Sequence, residues 1–156
     1  MPNQTLRVAG SCRCGRVEFE VTAAPLVTMA CHCRGCQKMT GSAYSLSAAV
    51  PAEGFHVTRG SPAIGGLHGA SRQYFCPHCM SWLFTKPQGL DFFVNVRSTM
   101  LEGPSWTEPF IESCTAEKLA WVSTPARYSY EGFPPPDSYE QLIAEFAEQE
   151  ATFRKG

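Results

Sequence analysis

The feature that most constrains this chain is its cysteines, because seven of the eight fall into three short clusters at spacings typical of metal ligands. The clusters are a pair at Cys12 and Cys14, a triplet at Cys31, Cys33 and Cys36, and a pair at Cys76 and Cys79. A structural zinc takes four ligands in a tetrahedron, usually as two chelating pairs, whereas a reactive zinc keeps three protein ligands and one open position. We therefore expect the two pairs to form a closed thiolate site and the triplet to form an open one.

Other uses of the triplet remain open at this point. The Cys33–Cys36 spacing also suits a redox pair, and a five-cysteine arrangement that mixes the clusters fits the same spacings. A distant ligand would turn the triplet into a second closed zinc site, and the candidates are Cys114, His56 and His68. His32 lies between two candidate ligands, where a side chain usually points away from the metal, so it is a candidate for a supporting hydrogen bond or proton transfer.

Composition and charge restrict the compartment and the partners. The first ten residues, MPNQTLRVAG, lack the charged and apolar regions of a signal peptide, and no run of about 18 apolar residues occurs, so we expect a cytoplasmic protein. In a reducing cytoplasm clustered thiols bind metal or react more often than they pair, which argues against the alternative of four disulfides. The net charge is −1 and the basic residues form no run, which argues against a nucleic-acid partner.

Most of the chain predicts short β-strands separated by glycine and proline. Apolar and polar residues alternate over 16–22, with Val17, Phe19 and Val21 on one face. Further strands are expected over 43–50, 55–59, 72–75, 81–85, 91–96 and 119–122. Loops are expected over 60–71 and 102–109, where glycine, proline and serine cluster.

The end of the chain predicts a helix. After prolines 134–136, apolar residues recur at helical spacing at Tyr139, Leu142, Ile143, Phe146 and Phe153. The spacing of Asp137 and Glu140 resembles a capping box, so we expect one amphipathic helix over roughly 138–153. No internal repeat or linker divides the 156 residues, and we expect a single domain with its core over roughly 10–125.

Four segments, GSCRCGRVEFEV, CHCRGCQKMTGSAY, YFCPHCMSWL and EKLAWV, together resemble the glutathione-dependent formaldehyde-activating enzyme family, a group that also includes centromere-protein-V-like proteins. The resemblance runs from Gly10 to Trp121 and depends on the order and spacing of seven cysteines. It implies a mainly β fold of the Mss4-like tent type, in which short antiparallel sheets are held together by zinc and followed by a C-terminal helix. It also implies two zinc ions per chain, with Cys12, Cys14, Cys76 and Cys79 as structural ligands and Cys31, Cys33 and Cys36 as catalytic ligands.

The same resemblance implies a carbon–sulfur lyase similar to S-(hydroxymethyl)glutathione synthase, which joins glutathione to formaldehyde. The expected partner is a small-molecule thiol such as glutathione, with no nucleic acid and no membrane. Edge strands, together with Trp106 in an exposed-looking loop, suggest a homodimer. From charge alone, candidates for holding the carboxylates of glutathione are Arg34, Lys38 and Arg97.

Two alternative functions fit the same residues. One is a lyase acting on another small thiol adduct, with a pocket lined by Phe55, Tyr74, Phe92 or Trp106. The other is a non-catalytic, zinc-stabilised module that binds a protein.

Two positions depart from the pattern of the family. Met80 follows the last pair cysteine, where glycine is common, and Glu112 stands near the place of a histidine found in many relatives. Neither departure changes the candidate ligands, so we expect their effects in the turn after Cys79 and in the substrate pocket.

Overall fold

The computed structural model describes residues 5–66, 69–103 and 106–155, with side chains as far as Thr152. Contacts between residues divide the chain into two compact units. The first unit comprises Met1–Pro25 and Ala48–Thr107, and the second comprises Leu26–Ser47 and Glu108–Gly156. Each unit contains one of the cysteine groups predicted from the sequence, so each is described by itself.

The described residues are mainly β, with two α-helices. The strands are β1 (Val8–Ser11), β2 (Glu18–Val21), β3 (Val27–Cys31), β4 (Ser45–Pro51), β5 (Phe55–Arg59), β6 (Ala63–Gly65), β7 (Ser71–Phe75), β8 (Trp82–Pro87), β9 (Phe93–Val96), β10 (Ile111–Ser113) and β11 (Tyr128–Ser129). The helices are α1 (Arg34–Thr40) and α2 (Tyr139–Lys155). No helix among the described residues has both the length and the apolar content needed to cross a bilayer.

The first unit is built from antiparallel strands. One sheet has the order β1-β2-β5, and in the other the second half of β4 is followed by β9, β8, β7 and β6. The alternation predicted for 16–22 is present, since Val17, Phe19 and Val21 are buried. Phe55 lies between Phe19 and Phe84, with ring centroids 5.3 and 4.8 Å away. Cys12 and Cys76 belong to the same core, so the hydrophobic packing extends to the cysteine pairs.

The second unit contains parallel strand pairs. Strand β10 lies between β3 and β11 and pairs in parallel with both, whereas the sequence led us to expect short antiparallel sheets. Helix α2 packs its apolar face on this unit: Leu142 and Phe146 are buried, and the Phe146 ring meets the edge of Phe110 at 5.6 Å. The Tyr128 hydroxyl donates a hydrogen bond to Glu145 of the helix.

Most predicted elements are confirmed, and two are wrong. The segment 60–71, expected to be a loop, contains the short strand β6 (Ala63–Gly65). The strands expected over 43–50, 55–59, 72–75, 81–85 and 91–96 overlap β4, β5, β7, β8 and β9. The strand expected over 119–122 is instead a turn, closed by the Val122 N–H and the Leu119 carbonyl at 3.1 Å, and it leaves Trp121 79% exposed. A run of four apolar residues is too short to distinguish a strand from a turn.

The helix expected over 138–153 is confirmed as α2, although its start differs in detail. A short 3₁₀ turn over Pro136–Ser138 precedes it, and the Ser138 hydroxyl donates to the Pro135 carbonyl at 2.6 Å. The predicted capping box is not among the hydrogen bonds of the described residues. The side chain of Phe153, part of the predicted apolar face, lies outside the described residues.

Candidate metal centres

Four sulfurs of the first unit meet in one group. The Sγ atoms of Cys12, Cys14, Cys76 and Cys79 all lie within 4.8 Å of one another. The sulfurs of Cys12 and Cys14 are 3.5 Å apart, and those of Cys14 and Cys76 are 3.8 Å apart. Zinc–sulfur bonds of about 2.3 Å place the corners of a tetrahedron about 3.8 Å apart, so this group has the size that a four-thiolate zinc requires.

Backbone hydrogen bonds shape the two turns that supply these sulfurs. The N–H of Val17 donates to the Cys12 sulfur at 3.3 Å, and the N–H of Cys79 donates to the Cys76 sulfur at 3.5 Å. Donors aimed at sulfur favour the thiolate over the thiol. Met80 adopts a left-handed backbone with φ of 60°, and its N–H bonds to the Cys76 carbonyl at 2.9 Å. The turn therefore takes the conformation that glycine favours, even though methionine stands there.

Ser81 links the two turns, a role that the sequence did not indicate. Its hydroxyl lies 3.2 Å from the Cys79 sulfur and accepts the N–H of Arg13 at 3.2 Å. The hydrogen bond from Ser81 lowers the pKa of the Cys79 thiol to about 5. Because Arg13 separates Cys12 from Cys14, this serine ties the first cysteine pair to the second.

Three sulfurs of the second unit form the other group. Cys31 ends β3, Cys33 is the N-cap of α1, and Cys36 lies in the first turn of that helix. Their Sγ atoms lie within 4.8 Å of one another, and all three residues are half-buried. The N–H of Cys36 donates to the Cys33 sulfur at 3.3 Å. Gly41 ends the helix in a left-handed conformation, which allows α1 to stop after seven residues.

The triplet cannot easily carry three negative charges by itself. A hydrogen bond from Cys36 lowers the pKa of the Cys31 thiol to about 5, while the interaction with Cys31 raises the pKa of the Cys36 thiol. Two close thiols therefore share one proton at neutral pH. A divalent cation would remove this conflict, since metal coordination deprotonates a thiol. The donor set is all sulfur, which suits zinc among common cellular metals.

No fourth ligand joins the triplet among the described side chains. Cys114 is buried and has a left-handed backbone with φ of 56°, yet its sulfur lies outside the three-sulfur group. Burial and the charge on Cys31 raise the pKa of the Cys114 thiol to about 12, which places it near the triplet as a neutral thiol. His56 is an exposed residue of β5 in the first unit, and His68 lies outside the described residues.

His32 is fully buried, and its side chain bonds to Glu112 instead of joining the sulfurs. Its Nε2 lies 3.0 Å from Glu112 Oε2. Glu112 also accepts from Lys118 Nζ at 3.1 Å, from Thr124 at 2.5 Å and from Ser129 at 2.8 Å. Burial alone would raise the pKa of Glu112, but these donors outweigh it and lower the pKa to about 2. The His32–Glu112 pair could not be predicted from the sequence, because 80 residues separate its members.

Two of the predicted substrate cations lie on α1, near the triplet, and the third does not. Arg34 and Lys38 are exposed residues of the helix that carries Cys36, and Arg34 Nη1 donates to Gln37 at 2.6 Å. Arg97 is a residue of the first unit that is 7% exposed, with its guanidinium 4.0 Å above the Trp82 ring. Arg97 is therefore a core side chain, which argues against a role in holding a substrate carboxylate.

The aromatic residues considered for a substrate pocket lie in different surroundings. Phe55 and Trp106 are buried in the core of the first unit, Tyr74 is stacked on Phe84 at 4.6 Å, and Phe92 is exposed. A shallow cleft of about 360 Å³ does occur in the first unit. Its lining comprises Arg16, Val17, Gly60, Ser61, Cys76, Pro77 and His78. The cleft adjoins the four-sulfur group through Cys76, and a metal bound there by four thiolates would have no position left for a substrate.

Comparison with known proteins gives a match that covers both sulfur groups. A family model described as glutathione-dependent formaldehyde-activating enzyme matches residues 7–117. Among solved structures, the chain is similar to the crystal structure of a Rhodobacter sphaeroides protein, with 23% identity and a TM-score of 0.49 over 61% of this chain and 88% of that one. No curated protein matches the chain. The family match includes all seven clustered cysteines and Glu112, whereas α2 lies beyond it.

Proposed function

Because the chain belongs to the glutathione-dependent formaldehyde-activating enzyme family, we propose that it is a zinc-dependent carbon–sulfur lyase acting on thiol–aldehyde adducts. The proposed adduct is S-hydroxymethylglutathione, formed reversibly from glutathione and formaldehyde. The observation that carries the proposal is the triplet itself: three grouped, half-buried sulfurs with no fourth protein ligand among the described side chains. A site that lacks one ligand is the arrangement expected for a reacting metal.

The reaction needs only the two substrates. In the forward direction the thiol gives up its proton, its sulfur forms a bond to the carbonyl carbon, and the carbonyl oxygen takes a proton. The reverse direction breaks the carbon–sulfur bond and restores the aldehyde. A zinc ion bound by the triplet would supply an acid that favours the thiolate and polarises a carbonyl.

The residues of the chain have three proposed roles in this reaction. Cys31, Cys33 and Cys36 hold the metal at the end of β3 and the start of α1. Their half-buried position leaves the triplet accessible from solvent. Arg34 and Lys38 place positive charge on the same helix, which favours the approach of an anionic thiol such as glutathione.

We also propose that the four sulfurs of the first unit hold a second, structural zinc. Cys12 and Cys76 are 3% and 0% exposed and belong to the hydrophobic core. A zinc bound at these sulfurs would therefore stabilise the core, and the packed core would hold the sulfurs in place for zinc. The thiolates are gathered only when the chain is folded, and the binding free energy of such a site therefore adds to folding.

The experiment that tests the reaction is exchange NMR on the zinc-loaded protein with glutathione and formaldehyde. The account predicts that the protein accelerates exchange between free glutathione and its hydroxymethyl adduct above the spontaneous rate. Cys33→Ser should remove the acceleration and leave the fold intact, because it removes a ligand from the triplet only. Cys114→Ser is the matched control, since it changes a nearby cysteine outside the group and should keep the acceleration.

Two results would overturn the proposed reaction. One is a wild-type protein that contains two zinc ions and does not accelerate exchange. The other is a folded Cys33→Ser protein with full activity. For comparison, Cys76→Ser should unfold the protein, because it removes a buried ligand of the structural zinc.

A further inference from the structure

Glu112 is a buried carboxylate at the centre of a polar cluster in the second unit. Its side chain is 7% exposed. It receives hydrogen bonds from four side chains that belong to separate segments, namely His32, Lys118, Thr124 and Ser129. An ionised carboxylate is costly to bury unless its oxygens are satisfied, and here both are. Both oxygens of the Glu112 carboxylate therefore have hydrogen-bond donors.

The two carboxylate oxygens have different partners. Oε2 accepts from His32 and Thr124 and lies 3.4 Å from Lys118 Nζ. Oε1 accepts from Lys118 and Ser129. The contact to His32 can thus be separated experimentally from the contact to Ser129.

His32 connects this cluster to the triplet, because it is the residue between Cys31 and Cys33. Its ring is 0% exposed and lies edge-on to Tyr44, with centroids 5.4 Å apart. An ionised carboxylate only accepts hydrogen bonds, so Nε2 carries the hydrogen that points to Glu112. The other ring nitrogen, Nδ1, is buried and has no hydrogen-bond partner among the residues that the structure describes. Glu112 therefore provides the hydrogen bond that fixes the orientation of the ring.

The backbone of His32 is held as well. Its N–H donates to the Ser113 carbonyl at 3.0 Å, and its carbonyl accepts from Gln37 Nε2 at 2.7 Å. Ser113 directly follows Glu112 on β10, and Gln37 directly follows Cys36 on α1. Two neighbouring residues of strand β10 therefore bond to His32: Glu112 to its ring and Ser113 to its N–H. His32 in turn separates two candidate ligands.

We propose that Glu112 is a positioning residue for the triplet: through His32 it fixes the Cys31–Cys33 segment so that the sulfurs are ready to bind metal before the metal arrives. This inference rests on the metal site of the proposed function. It does not require the proposed reaction, because its readout is metal affinity. Residues that hold a metal site in place from outside the ligand set commonly change its affinity by about 10- to 100-fold.

The test compares metal affinity at the two sulfur groups by chelator competition, using cobalt(II) as a spectroscopic probe and zinc for the affinities. Glu112→Gln should weaken binding at the triplet by about tenfold or more. Binding at the four-sulfur group should be unchanged, which makes that group an internal control. Ser129→Ala is the matched structural control: it removes a donor from Oε1, lowers thermal stability, and leaves the triplet affinity as in wild type.

A double-substitution cycle tests whether Glu112 acts through His32. His32→Phe keeps a ring of similar size but loses the Nε2 hydrogen bond, and it should also weaken the triplet about tenfold or more. In the His32→Phe background, Glu112→Gln should cause little further loss, since the two changes break one interaction. The cycle also keeps the inference testable if Glu112→Gln does not fold, because His32→Phe leaves the other three donors of Glu112 in place.

The outcomes separate this inference from the proposed reaction. Folded Glu112→Gln or His32→Phe protein with wild-type triplet affinity would overturn the inference and leave the reaction standing. Weaker binding in both variants would support it even if exchange NMR shows no catalysis. A wild-type chain that binds a single metal, at the four-sulfur group, would overturn both.

Discussion

At the scale of single residues, position in the fold decides what a side chain does more than its identity. His32 and His78 occupy similar places between cysteines, but His32 is fully buried and bonded to Glu112, whereas His78 is exposed and lines a cleft. The sequence indicated that His32 points away from the metal and could support the site. It could not supply the partner, because Glu112 is distant in the chain and is brought near only by the pairing of β10 with β3.

Cys114 provides a prediction at the same scale. Its sulfur lies outside the triplet, so Cys114→Ala should keep two zinc ions per chain and leave the affinity of the triplet within a few-fold of wild type. The free energy of unfolding should fall by about 1 kcal/mol, as is typical of a small change at a buried position. Zinc content measured by elemental analysis, together with chelator competition, checks the prediction.

Cys36→Ala is the control for that experiment, since it removes a sulfur from within the group and should reduce the zinc content to one per chain. A Cys114→Ala protein that also retains a single zinc would show that Cys114 closes the second site. The site would then be structural, as the sequence alone had allowed.

At the scale of elements, the local patterns predicted strands well and pairings poorly. Alternation located β2, and helical spacing located α2, because each pattern reflects burial of one face. The parallel pairs of β10 with β3 and β11 have no local signature, since parallel strands are joined by long connections. Helix α1 was also missed, because it is only seven residues long and contains a glycine and a single apolar residue, Met39, besides Cys36.

Helix α2 gives a prediction about packing. Phe146 is 2% exposed and packs on Phe110, so Phe146→Ala should lower the free energy of unfolding of the protein by about 3–5 kcal/mol. Urea denaturation followed by circular dichroism measures the change. Phe133→Ala is the matched control, because Phe133 is exposed and its removal should change stability by no more than about 0.5 kcal/mol. Equal effects of the two substitutions would contradict the packing of α2 described above.

At the scale of the whole molecule, the cysteine spacing predicted the arrangement of the sulfurs more completely than it predicted the surroundings. The division of seven cysteines into a group of four and a group of three follows from chelating spacing and tetrahedral geometry, and the structure brings together those same sulfurs. Ser81, Gln37 and Glu112, which hold the turns and strands around them, carry no spacing signal. Their roles depend on tertiary contacts, such as the bond between Ser81 and the N–H of Arg13.

The central claim is that one sulfur group is closed and the other is open to a thiol, and cadmium-113 NMR on the cadmium-substituted protein tests it most directly. The account predicts two resonances, one from a metal with four thiolates and one from a metal with three, because each group gives its own signal. Glutathione should shift the second resonance and leave the first in place. Two four-thiolate resonances, both unmoved by glutathione, would contradict the claim.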